Sequence, residues 1–159
     1  MRVTASFIYD LVPIGSIVAW SDGTPRPPQR HRKKLSTWQS NNNRGRMIRK
    51  EGARAGGTHG LPSAFTILEG DLEAKGIIVV KILRTFSIAS NLNFTVIERP
   101  KIGSIRVFDR PGPGAELVHL APSKADAELW LKSHGHPRAV FDEVTADEIA
   151  ALTDGKVAA

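Results

Sequence analysis

The residues whose types and spacing most suggest chemistry form one basic block. Between Thr24 and Thr58 stand seven arginines and three lysines against the lone Glu51, a local charge of +9 in a chain whose net charge is +6. Guanidinium forks grip phosphate in a bidentate way, and clustered cations release counterions from a polyanion. Trp38 and His31 lie within the block and can stack on unpaired bases, so charge and aromatic surface occur together as nucleic-acid binders use them. The site read from sequence comprises Arg26, Arg30, Arg32, Lys33, Lys34, Arg44, Arg46, Arg49 and Lys50 on phosphate, with Trp38 stacking. The bland alternative is a solvated polar loop. No helix-turn-helix, RNP or zinc-finger signature accompanies the block, so sequence-specific duplex readout is not expected.

Two other groupings carry chemical side chains. Glu69, Asp71, Glu73 and Lys75 alternate as magnesium-binding carboxylates with a lysine would, but the Glu-x-Lys precedes the expected strand instead of lying within it, so the preferred reading is an acidic turn between strands. His134 and His136, with His119 and Asp142 elsewhere, offer imidazoles without a fixed metal spacing. A helix C-terminus by itself favours a positive His134. Serine-nucleophile and phosphate-cradling glycine motifs are missing, and no cofactor or metal is expected.

These residues need a frame, and 159 residues fit one domain, which buries roughly 70% of the surface its unfolded chain exposes. The absence of cysteine excludes a disulfide framework and thiolate metal sites, and it fits a reducing compartment. The longest apolar run, around Gly76 to Val80, is far short of the roughly 20 residues of a membrane helix, and the start lacks a secretion signal. The expected location is the cytoplasm, with no membrane partner.

Alternation over Val3 to Tyr9 predicts a strand, and Gly15 to Trp20 a second. Prolines after Gly23 end the sheet, and a short helix is expected from Gln29 to Ser40, with His31, Leu35 and Trp38 sharing a face. Residues 24–60 are read as a basic mobile insertion, ordered on meeting a partner. Strands are expected at Ala64 to Leu68, Gly76 to Ile88, Leu92 to Glu98, Ser104 to Asp109 and Glu116 to Leu120. In the run from Gly76, Ile78, Val80, Ile82, Phe86 and Ile88 define a core face interrupted by Arg84, either a paired core arginine or an edge position. Ser123 with Asp126 opens a helix that Gly135 stops, Ala139 to Val144 is a final strand, and Thr145 with Glu148 opens a last helix through Leu152 to Gly155. The fold class expected is α+β: a largely antiparallel, meander or barrel-like sheet with one or two C-terminal helices.

At Asp10 to Pro28, Glu69 to Phe86 and Glu98 to Ser104 the chain resembles small uncharacterised proteins carried on bacterial plasmids and integrative elements. That resemblance covers most of the chain and implies a setting of DNA transfer, maintenance or defence evasion, with no catalytic residues to carry over. The leading expectation is a non-enzymatic binder of DNA or RNA. The alternative is an interaction module or inhibitor whose basic arm occupies an acidic or nucleic-acid-binding surface of another protein, such as a defence nuclease. A metal-dependent nuclease built on Glu69, Asp71, Glu73 and Lys75 is the third reading.

Overall fold

A computed structural model describes residues 2–56, 60–74 and 77–150. The architecture is mixed α+β, with two open antiparallel sheets where a meander or barrel was expected. The first sheet has five strands in the order β4-β3-β2-β1-β5, formed by β1 (Ile17–Ser21), β2 (Asn43–Glu51), β3 (Ala64–Ala74), β4 (Ile77–Ser87) and β5 (Asn93–Glu98). The second has three, β7-β6-β8, from β6 (Ile105–Phe108), β7 (Leu117–Ala121) and β8 (Val140–Glu143). Helices α1 (Ala5–Leu11), α2 (Arg32–Asn41) and α3 (Lys124–His134) complete the frame with a helical segment at 146–150.

The first predicted strand is in fact α1. Thr4 caps it by accepting from the Phe7 amide, and Ala5, Ile8 and Val12 return to one face and are fully buried. The alternation of Val3, Ala5, Phe7 and Tyr9 misleads because the three- and four-residue spacing of the buried set is present in the same letters. This helix covers one face of the first sheet, where Trp20, Phe65, Phe86 and Phe94 form the centre of the core with ring centroids 5.0–5.7 Å apart.

The second correction concerns the middle of the basic insertion. Residues 43–51 are strand β2, the central strand of the five, paired antiparallel to β1 and to β3. A register shift between Met47 and Arg49 marks a bulge, and both Met47 and Ile48 are buried there. Gly45 is required at this place, since a Cβ would run into the Leu68 carbonyl oxygen of the neighbouring strand. Residues 24–42, an excursion in the connection from β1 to β2 that carries α2, and the described residues of the insertion that follow β2 lie outside the sheet's strands.

The core face expected along β4 holds at Phe86 but not at Ile82 or Val80, and the Ile78 side chain lies outside the described residues. Val80, Ile82 and Leu83 are 45–47% exposed, because the pairing of β3 with β2 stops at Leu68 while the β3–β4 hairpin continues to Ala74 and Ile77. Arg84 lies on the edge strand with Nε 3.9 Å from Glu69 Oε2.

The C-terminal third matches expectation closely. Ser123 caps α3 through the Asp126 amide, Gly135 ends it at φ 59°, and Thr145 Oγ1 accepts from the Glu148 amide. The continuation through Leu152 to Gly155 lies outside the described residues. Ile105, Val107 and Ala121 pack against Ala127 of α3. Beneath them Arg106, 4% exposed, donates to Asp142 Oδ2 at 2.5 Å, to both oxygens of Glu148 at 2.7 and 2.8 Å, and to the Ile14 carbonyl. One guanidinium thus ties β6, β8, the 146–150 helix and the start of the first sheet together.

Replacing Arg106 by Met is expected to lower the unfolding free energy by about 2 kcal/mol, less than the roughly 3–5 kcal/mol of a fully buried pair because both carboxylates reach solvent. Urea denaturation reads the change. An unaltered midpoint would show that the guanidinium does not join these elements.

Candidate nucleic-acid interface

The basic block divides into two sets that the sequence does not distinguish. Arg46, Arg49 and Lys50 project from β2 and are engaged within the fold. Arg46 Nη1 donates to the Gly15 carbonyl at 2.5 Å. Arg49 bridges Glu51 at 3.3 Å and Glu116 of the β7 approach at 3.2 Å, and Lys81 reaches the other Glu116 oxygen at 3.0 Å. Lys50 is half-buried over the Tyr9 ring. Arg54 lies 3.8 Å from Glu51.

Arg26, Arg30, Arg32, Lys33, Lys34 and Arg44 are exposed, and among the described residues none of the six meets a carboxylate within salt-bridge distance. Five of them sit on the proline segment and the first turn of α2, and Arg44 opens β2. The 24–42 excursion is pinned at both ends. Trp20 Nε1 donates to the Ser40 carbonyl at 3.0 Å, and Ser21 Oγ donates to Asn42 Oδ1 at 2.7 Å. Asp22 Oδ1 accepts from the Thr24 hydroxyl at 2.6 Å, the Thr24 amide at 2.9 Å and the Asn42 amide at 3.0 Å. Those bonds, the Thr24 hydroxyl first, hold the Asp22 carboxyl below its ordinary pKa.

Trp38 and Leu35 share the inner side of α2 as expected, while His31 is the N-cap residue and is exposed. The indole N–H of Trp38 donates to the Thr24 carbonyl at 3.0 Å, fixing the ring beside Pro25 and Pro27 in an open groove of about 470 Å³ that Lys33 and Lys34 also line. His31 supplies no side-chain cap, and the first turn of α2 holds three cations and no acid. A helix N-terminus favours anions, so this arrangement is unfavourable for the isolated helix and suited to an incoming phosphate.

The other two groupings resolve differently. Glu69 accepts from Asn43 Nδ2 at 2.9 Å and faces Arg84, so it is a structural acid. The side chains of Asp71 and Glu73, and Lys75 altogether, lie outside the described residues. Among those described, no three His, Asp or Glu side chains converge as metal ligands would.

The histidines gather on one indole, which the sequence did not disclose. His119, His134 and His136 lie nearly parallel to Trp130 at 4.6, 4.1 and 5.5 Å between centroids. His134 Nδ1 is 2.8 Å from the Trp130 carbonyl, and since a carbonyl only accepts, that nitrogen carries hydrogen. Burial, then the charge of His134, pushes His119 below its ordinary value. The signal available was the helical spacing of Trp130 and His134, four residues apart on α3.

Fold and site together define a small α+β protein that presents unpaired cations on a pinned excursion from its main sheet. The chain belongs to the family described as uncharacterised conserved protein UCP036055, whose model matches residues 3–148. No curated protein and no solved structure matches it significantly. No helix among the described residues is long and apolar enough to cross a membrane.

Because His119 titrates lower in the folded state than its ordinary 6.5, the unfolded chain binds more protons in that window, and stability must fall as pH drops through about 6.5. His119→Phe is expected to flatten this part of the stability profile, followed by far-UV circular dichroism during denaturation at pH 7.5 and 5.5. An unchanged profile would show that His119 is not the titrating group.

Proposed function

We propose that this protein binds nucleic acid through the 24–42 excursion and the adjoining start of β2, and catalyses no reaction there. The observation that carries the reading is the set of six exposed cations without carboxylate partners, five of them grouped around an uncapped helix start. Arg26, Arg30, Arg32, Lys33, Lys34 and Arg44 contact phosphate, and Trp38, with its N–H already satisfied, offers ring surface to an unpaired base. Arg46 and Arg49 drop out of the contact set because their charges are met within the fold, and Lys50 because it is half-buried. Backbone neutralisation of this kind gives affinity without sequence readout. On this reading the protein works in the bacterial cytoplasm on nucleic acid of a plasmid or integrative element, a setting that rests on the resemblance at Asp10 to Pro28, Glu69 to Phe86 and Glu98 to Ser104.

A protein partner is the second reading, favoured by the exposed Val80, Ile82 and Leu83 on the β3–β4 hairpin. A pull-down repeated after nuclease treatment separates the two, since only a protein contact survives it.

Fluorescence anisotropy with mixed-sequence single-stranded DNA, single-stranded RNA and duplex DNA across a salt series tests the main reading. Affinity is expected to fall steeply with salt, and the variant carrying Arg30→Ala, Arg32→Ala, Lys33→Ala and Lys34→Ala should flatten the log-log slope by about 3, at roughly 0.7–0.9 per phosphate contact. A flat salt response of the wild-type chain, or an unchanged slope in the variant, would overturn it.

A further inference from the structure

Lys50 has a role the phosphate reading does not give it. It lines a cavity of about 540 Å³ that Tyr9 borders from α1, Phe108 from the end of β6, Val140 and Asp142 from β8, and Arg110 from the loop that follows β6. The volume lies within the range of pockets that hold small molecules, roughly 300–1,000 Å³. Its walls are largely apolar, with Phe108, Val140, Pro111 and Pro113 contributing hydrocarbon.

Among the described residues the Lys50 side chain makes no ion pair and no hydrogen bond; its ammonium lies 6.0 Å from the centroid of the Tyr9 ring. Carboxylates stand in the vicinity but are committed or distant. Asp142 and Glu148 both bind Arg106, and Asp10 of α1 acts on Lys50 only through its field. Arg110, whose Nη2 donates to the Gly114 carbonyl at 3.3 Å, adds a second positive charge at the rim. A half-buried ammonium without a partner is costly, and an anion delivered to it removes that cost.

We propose that this cavity binds a small carboxylate with an apolar body, its charged end on Lys50 Nζ within reach of Arg110 and its body against Phe108, Val140 and the two prolines. One ammonium and one guanidinium, with the Asp142 carboxylate also on the wall, suit a monoanion better than a phosphate dianion, whose second charge would meet that carboxylate. The ligand meets the charged form of Lys50. Burial, opposed by Asp10 and Glu148 and assisted by Arg106, brings that lysine down to about 8. Above this pH the amine loses its proton and affinity falls.

Thermal unfolding with phenylacetate as the probe, and the uncharged phenylacetamide as its control, tests the site. Phenylacetate at up to about 10 mM, enough to populate a millimolar site, is expected to raise the Tm, phenylacetamide is not, and the shift should shrink between pH 7 and 9. Lys50→Met should weaken phenylacetate binding at least about tenfold, the loss expected for a charge-assisted contact. Where that variant does not fold, Val140→Trp fills the cavity with Lys50 in place and should abolish the shift. No shift in the wild-type chain, equal shifts from acid and amide, or full retention in either folded variant would overturn the proposal.

Discussion

The structure depends on how a strongly cationic segment is made to serve as the middle strand of a sheet. Strand β2 offers only Met47 and Ile48 to the interior, and a bulge between Met47 and Arg49 lets two adjacent apolar residues both be buried. Two of its charges are then met by specific partners: Arg46 by a carbonyl at Gly15, Arg49 by Glu51 at the end of the same strand and by Glu116, a residue 67 positions away. Glu116 also receives Lys81 from β4, so one carboxylate at the entry to β7 steadies two strands of the first sheet. Without that compensation the central strand would hold mutually repelling cations at the heart of the fold.

This division of labour separates charges met within the fold from charges left at the surface. The β2 cations Arg46, Arg49 and Lys50 are paired or half-buried, whereas Arg44 at the strand's start and those on the 24–42 excursion are exposed and, among the described residues, lack carboxylate partners. The excursion is nonetheless anchored, through Trp20, Ser21, Asp22, Trp38 and Asn42. Anchoring matters for binding because a pre-positioned set of cations loses less conformational entropy on meeting a polyanion than a free arm does. The uncapped start of α2 places backbone donors among the same side chains.

Much of the frame was legible in the sequence. Local signals marked α3, with Ser123, Asp126 and Gly135 each in its expected role, and β1, β5 and β8 through short apolar alternation. What stayed hidden rests on long-range partners. The letters of β2, Asn-Arg-Gly-Arg-Met-Ile-Arg-Lys-Glu, resemble a loop because nothing local reveals Glu116. Helix α1 was masked by a pattern that satisfies both periods. Buried Arg106 and the three imidazoles on Trp130 likewise arise from residues that meet only in three dimensions. For the candidate site, composition marks the basic segment as a whole, but only geometry separates Arg32 or Lys34, exposed at the surface, from Arg49, paired within the fold.

Residue-resolved NMR during titration of a mixed-sequence oligonucleotide addresses this separation directly. The account predicts that amide perturbations concentrate at residues 24–44, including the Trp38 indole signal, and leave 46–50 nearly unmoved. Perturbations centred on β2 or on the β3–β4 hairpin, or none at all, would contradict it.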